Sequence, residues 1–424
     1  MTGFETRQIH AGAIIDAQAG ARVTPVYQSA GYVFDDFDDA VSRFAVKSDR
    51  LVYSRHDNPT NGVAARRIAD LEGAAGGLLT GSGQAAIFTT IYSIASAGDE
   101  ILATRSLYEG TKQLFRSNLA RQGIRFTFLD ADAPDEEWLA HASTRVKAIF
   151  TESIPNPKND IPDIERLASL AHRIGVPLVV DNTVATPYLF RPIEWGADIV
   201  IHSTSKWLGG HGAVIGGVIL DAGRATWAGD AARYPQLHVA PRPGGRSAHA
   251  LFGEGAFLPF AVTVANDYGP TFPAQSAFLL LLGIDTLSLR MERHVANART
   301  IAGWLDRHPA VAGVDYAGLD SSAYHQRARR LMPRGSGSVP AFEVRGGEPA
   351  ARAVIDGLQL ITRMTHIGDV RTLAIHTGST IHGKLTDAER AAIGITPGLI
   401  RLSVGLETVD DLIADLDQAL ARVG

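Results

Sequence analysis

The 424-residue chain is 45% hydrophobic and 20% charged, with a formal net charge of −5. These are ordinary values for a globular protein too long for one simple core. The mild acidity argues against nucleic acid as the main partner, and the absence of cysteine excludes disulfides and thiolate chemistry. The first ten residues carry no apolar leader region and no apolar run is long enough to span a bilayer, so a cytoplasmic protein without membrane partners is expected.

Residues 1–60 mix Pro25, Pro59, several glycines and the acidic run Asp35-Asp36-Phe37-Asp38-Asp39, which predicts an extended arm. From there strands and helices alternate. Gly77–Thr80 is a short apolar strand broken by Gly81-Ser82-Gly83, and Gln84–Ala95 follows as a helix. Glu100–Thr104 and Val146–Thr151 are strands. Asp163–Ile174 places Ile164, Leu167, Ala168, Ala171 and Ile174 on one helix face, with Asp163 to cap its start and Gly175 its end. Val176–Val180 runs into Asp181, and Asp198–His202 runs into Ser203-Thr204-Ser205-Lys206. Continuous apolar strands between amphipathic helices imply a mostly parallel sheet flanked by helices.

The pattern changes after about residue 267. A long helix is predicted over Phe278–Arg299, then short strands that include Leu399–Val404, with Arg401 on its polar side. A last helix, Val409–Val423, is capped by Thr408. The basic residues Arg327, Arg329, Arg330 and Arg334 fit a solvated helix face and loop. The expected domains are an arm (1–60), a larger α/β domain (61–267) and a smaller C-terminal α+β domain (268–424).

Ligands of parallel α/β sheets bind beyond the carboxyl ends of the strands. Two polar clusters fall there, Asp181-Asn182-Thr183 and Ser203-Thr204-Ser205-Lys206. The chain has only six lysines. Lys47, Lys158 and Lys384 fit loops and a turn, and Lys112 and Lys147 fit surface positions, which leaves Lys206. A lysine amine can condense with an aldehyde cofactor such as pyridoxal 5'-phosphate (PLP). That cofactor also needs an acid at its ring nitrogen, for which Asp181 is the candidate, with a helix N-cap as its plainer role. Its phosphate needs amides and hydroxyls: Gly83 and Gln84 at a helix start, and Ser203 and Ser205 at a strand end. His202, His211, His366, His376 and His382 lack metal-ligand spacing, and no metal is expected. Ser203 to Lys206 also has the S-x-x-K spacing of a serine acyl-enzyme hydrolase, but here it ends a strand rather than opening a helix.

These residues resemble the Cys/Met-metabolism PLP enzymes over almost the whole chain. The matching stretches are Val23–Gln28, Tyr53–Thr60, Ser82–Ala86, Leu107–Thr111, Val180–Thr183, His202–Lys206, Gly209–Gly212 and Arg401–Glu407. Within the family the chain is most similar to the O-acetylhomoserine sulfhydrylase (aminocarboxypropyltransferase) branch, through Ser82-Gly83-Gln84, Val33–Asp36, Leu287–Ala298 and its length.

The resemblance implies a PLP-dependent transferase of fold type I, with an N-terminal arm contributing to the neighbour's active site in a homo-oligomer, a dimer of dimers. Lys206 would hold the cofactor, Asp181 its ring nitrogen and Asn156 its ring hydroxyl. Tyr108 would stack on the ring and move a proton. Gly83, Gln84, Ser203 and Ser205, with Tyr53 and Arg55 from a neighbouring subunit, would bind phosphate. Arg401 would bind the substrate carboxylate, with Tyr53 and His366 bordering the substrate. The implied reaction is γ-replacement on O-acetyl-L-homoserine with sulfide or a thiol, giving homocysteine or methionine. The alternative is γ-elimination, as in methionine or cystathionine γ-lyase. The chain departs from the family pattern at Ser205, Glu109, His366, Thr377-Gly378 and Thr271–Gln275.

Overall fold

The apolar runs become seven strands in the computed structural model, which describes residues 2–45, 47–241 and 244–423. They are β1 (Gly76–Thr80), β2 (Glu100–Thr104), β3 (Arg125–Leu129), β4 (Val146–Glu152), β5 (Leu178–Asp181), β6 (Ile199–Ser203) and β7 (Gly217–Asp221). The sheet order is β1-β7-β6-β5-β4-β2-β3. The pairs from β3 to β6 are parallel, and β7 and β1 close that edge antiparallel. Register sets Glu152 beside Asp181 and Asp181 beside Ile201, so the carboxyl ends of β4, β5 and β6 lie together.

Strand alternation feeds two cores. Leu178, Val180 and Val200 pack into one, and Val179, Ile199 and Ile201 into the other. The helix Gly83–Ile94 lies over β6 and β7 on one side, and Pro59–Glu72 lies against β1. The helix Ile164–Ile174 is capped by the Asp163 side chain, which accepts from the Arg166 N–H, and ends at Gly175 in the left-handed region (φ 82°). A second, five-stranded sheet holds β8 (Val311–Asp315), β9 (Ala341–Val344), β10 (Thr362–Arg363), β11 (Leu373–His376) and β12 (Leu399–Ser403), in the order β10-β11-β12-β9-β8.

Several local expectations are corrected. The predicted helix 278–299 is two helices, Ala274–Ile284 and Leu287–Leu305. The break falls at Asp285, whose carbonyl accepts from Gln8 and whose carboxylate holds Arg67 at 2.6 Å. The arm is not wholly extended. It contains Phe4–His10 and Phe37–Phe44, and the acidic run opens the second, with Asp36 accepting from the Asp39 N–H. Thr408 does not cap the last helix, Val409–Leu420, through its side chain; its carbonyl accepts from Asp411 and Leu412 instead. Lys112 and Lys147 are buried, not at the surface, because Glu109 (3.1 Å) and Asp99 (3.4 Å) pair with them. β12 is buried on both faces, so the polar side of Arg401 is an internal one.

One buried hydrogen-bonded pair braces the sheet from behind. His202 points to the face opposite Ser203, and its Nε2 lies 2.8 Å from Glu72, which also accepts from Asn182 at 3.2 Å. All three are fully buried. His202→Ala is expected to leave the buried Glu72 carboxyl without one of its two hydrogen-bond partners and to open a cavity, at a cost of about 2–5 kcal/mol. The denaturant midpoint should fall with an unchanged slope.

Candidate active site

Lys206 lies three residues beyond β6, where the strand's carboxyl end meets the loop. Its Nζ is 3.0 Å from His366 Nδ1, and no carboxylate pairs with it among the described residues. Burial and the Arg401 guanidinium lower its pKa from 10.5 to about 8, while the Asp181 charge acts in the other direction. The His366 ring, in turn, is held below its usual value by burial and by Lys206. His366 thus contacts the lysine itself rather than serving only as a satisfied structural histidine.

Asp181 ends β5 and is not a helix cap. It accepts from the Thr183 N–H (3.0 Å) and from Thr183 Oγ1 (2.5 Å). Thr183 Oγ1 accepts from the Ser203 N–H at 2.8 Å, which ties the ends of β5 and β6 together. Burial pushes the Asp181 carboxyl up, and the Thr183 bonds and the His202 and Lys206 charges pull against it.

Three of the phosphate candidates, Gly83, Gln84 and Ser203, meet at one helix start. Ser82 caps the helix Gly83–Ile94 by accepting from the Ala85 N–H at 3.0 Å. A Cβ at Gly83 would sit 2.7 Å from Ser203 Cβ, so only glycine lets the helix amides approach the end of β6. Ser205 is tied instead to Gly216, just before β7: its Oγ accepts from the Gly216 N–H at 3.0 Å and donates to the Gly216 carbonyl at 3.3 Å. Gln84 Oε1 is buried with no partner.

Arg401 on β12 reaches the same space from the second sheet. It donates to Asn156 Oδ1 (3.1 Å) and to the carbonyls of Thr365 (2.6 Å) and His366 (3.2 Å). Its Nε is buried and unpartnered, a donor left over for a carboxylate. Burial lowers the guanidinium to about 10. Tyr108 opens the short helix Glu109–Gln113 with its side chain 44% exposed.

Two sequence candidates make no hydrogen bond to this cluster among the described residues. Arg55 donates to the Asn266 carbonyl at 2.5 Å and lies over the ring of Tyr53, a residue that is 43% exposed. Thr183 belonged to a strand-end cluster visible in the sequence, though without a role. Glu152 at the end of β4, which accepts from the Tyr108 N–H at 2.6 Å, was not singled out from sequence. Glu152 follows an apolar strand just as Asp181 does, and that parallel was the available clue.

An anion cup that only glycine permits, a buried acid, an amine with a lowered pKa and a spare guanidinium donor together fit an aldehyde–phosphate cofactor and an amino-acid carboxylate. The comparisons agree. Residues 5–421 match the family of Cys/Met metabolism PLP-dependent enzymes. A homocysteine synthase of Schizosaccharomyces pombe is 43% identical over 422 residues, covering 98% of each chain. O-acetyl-L-homoserine sulfhydrylase 1 of Thermus thermophilus is 44% identical over 422 residues, covering 99% of this chain and 100% of that one. A Campylobacter jejuni crystal structure, provisionally named an O-acetylhomoserine (thiol)-lyase and carrying a pyridoxyl-lysine 5'-monophosphate, superimposes with a TM-score of 0.94. It is 35% identical and covers 99% of this chain and 100% of that one. A Lactobacillus plantarum cystathionine gamma-lyase gives 0.85 at 32% identity, covering 100% and 99%.

Proposed function

The chain belongs to the Cys/Met metabolism PLP-dependent enzymes, and on that premise we propose that it catalyses γ-replacement on O-acetyl-L-homoserine with sulfide or a thiol, giving homocysteine or methionine. The observation that carries this is the full-length likeness, above 40% identity, to proteins named homocysteine synthase and O-acetyl-L-homoserine sulfhydrylase. The named γ-lyase lies further off at 32%.

Bound in this site, PLP supplies an aldehyde for the substrate amino group and a ring that accepts electrons from the substrate α-carbon. The protein supplies the rest. Arg401 holds the substrate carboxylate, using the Nε that has no partner among the described residues. Lys206 would anchor the cofactor and, as the free amine, would take the substrate α-proton; its lowered pKa suits that task. Asp181 would supply a negative charge to the cofactor and Asn156 a polar contact. Gly83, Gln84, Ser203 and Ser205 would hold its phosphate. Tyr108 would pack against the cofactor and move a proton, while His366, which steadies the Lys206 amine, would border the substrate.

A substrate panel tests the reaction. O-acetyl-, O-succinyl- and O-phosphohomoserine, methionine and cystathionine are each assayed with and without sulfide or methanethiol. Thiol or thioether product appearing only when both partners are present is expected, with the O-acetyl compound preferred. Rapid ammonia release from methionine alone, with no thiol incorporated from any acylhomoserine, would favour the lyase.

The proposal includes a cytoplasmic homo-oligomer, a dimer or a dimer of dimers, in which Tyr53 and Arg55 complete the phosphate site of a neighbour. Its support is the exposure of Tyr53, and of Val33, Phe37 and Phe44 on the same arm, with no hydrogen bond among the described residues from Tyr53 or Arg55 to Lys206, Ser203 or Ser205. Arg55→Ala is expected to weaken PLP binding by roughly 1.5–3 kcal/mol, or about 10- to 150-fold. Mixing Arg55→Ala with Lys206→Ala subunits should restore part of the activity through hybrid sites. A fully active monomer would refute the shared site.

A further inference from the structure

Glu152 has no part in the chemistry outlined above, yet it sits at its centre. It ends β4 in register with Asp181 and is only 5% exposed. No cation lies in ion-pair range of it among the described residues. Its one side-chain hydrogen bond comes from the Tyr108 N–H, at 2.6 Å.

The Tyr108 carbonyl is fixed by its own helix, accepting from the Thr111 and Lys112 N–H groups at 3.0 and 3.2 Å, so the bond to Glu152 is what ties its N–H to the sheet. The residue is 44% exposed, and the helix it opens, Glu109–Gln113, has no side-chain cap at its start and runs on directly into the π-helical segment Leu114–Leu119. The ring folds closely over its own turn. A Cβ at Gly110 would come within 2.4 Å of Tyr108 Cε1 and 2.7 Å of Gln84 Nε2. A small rotation of the Tyr108 backbone would therefore carry the ring off this contact.

We propose that Glu152 is a positioning residue, acting through the hydrogen bond from the Tyr108 N–H to its Oε1, and so sets the pose of the Tyr108 ring over the cofactor site. The role of the ring rests on the proposed PLP site. Glu152 acts as a neutral acceptor. Burial and the Asp181 charge push its carboxyl well above the usual range, whereas Asp181 is favoured as the ionised partner by the two Thr183 bonds and the nearby Lys206 and His202. Two adjacent buried carboxyls share one proton in this way. The bond needs a carbonyl-type oxygen and no charge, so a carboxamide should replace it.

The test compares wild type with Glu152→Gln, which keeps the acceptor, and Glu152→Met, which keeps the volume and loses it. Amide hydrogen exchange at Tyr108 is measured on cofactor-free protein; visible circular dichroism of the bound cofactor, kcat and KM are measured on the loaded enzyme. Glu152→Gln should match wild type in exchange and dichroism. Glu152→Met should exchange the Tyr108 amide roughly tenfold faster, with altered dichroism and a loss in kcat larger than any change in KM. Equal damage in both variants would overturn the proposal, because charge would then be what matters. Unchanged exchange in Glu152→Met would overturn it too. If Glu152→Met does not fold, Glu152→Gln decides: wild-type exchange and dichroism support the proposal and their loss refutes it. The exchange measurement needs no cofactor, so failure of the PLP reading would not be mistaken for failure of this one.

Discussion

Lys206→Ala is expected to lower kcat by at least ~10^3, through loss of both the cofactor's covalent anchor and the base at the substrate α-carbon. Borohydride should fix the cofactor to wild-type protein at Lys206 and fail to fix it in the variant. The environment of the amine gives a second, independent readout. With a pKa of about 8, roughly 10% of free Lys206 is the neutral amine at pH 7, against about 0.03% for a lysine at 10.5. Competitive acylation of cofactor-free protein across pH should place Lys206 near 8, with the exposed Lys47 and Lys384 as internal references. The sign follows from the cause. Burial and Arg401 disfavour the ammonium, so Arg401→Met should raise the midpoint. A Lys206 midpoint near 10.5 in wild type would remove the physical basis for its role as a base. A borohydride label on another lysine would remove its role as the anchor.

Lys206 and Asp181 were legible in the sequence because each follows a continuous apolar run, and the carboxyl ends of such runs line up wherever strands pair in parallel. The cap of Ile164–Ile174 was legible for a local reason as well, since Asp163 and Gly175 act on neighbours in the chain. What the sequence hid depends on distant partners. The helix around Asp285 breaks because Gln8 and Arg67 claim that residue from far upstream. Lys112 is buried because Glu109 offers a charge in a sheltered place, which composition does not reveal. The contact of His366 with Lys206 joins residues 160 positions apart, and only the packing of the second sheet against the first creates it. Arg401 came from the family resemblance. Strand alternation told its side but not that the side faces inward.

Asp181→Asn should move activity and stability in opposite directions. The carboxamide oxygen can still accept both Thr183 bonds, so the turn after β5 survives. What disappears is the charge that would hold the cofactor's ring nitrogen protonated, and loss of one such electrostatic partner costs about 10^2–10^3 in kcat. In the cofactor-free protein that same charge is a burden. Burial raises the Asp181 carboxyl above 3.8, so the folded state binds a proton that the unfolded state gives up more readily. Stability is therefore fullest below the ordinary carboxylate pKa and declines as pH rises through the raised native value. Asparagine removes that decline. At neutral pH the cofactor-free Asp181→Asn protein should melt at a higher temperature than cofactor-free wild type, and the gap should close on acidification towards pH 4. Loading PLP should narrow the gap as well, because a protonated ring nitrogen would give the wild-type carboxylate its partner. A variant that is both inactive and less stable at neutral pH would mean that Asp181 earns its place through the fold rather than through the charge it holds for the cofactor.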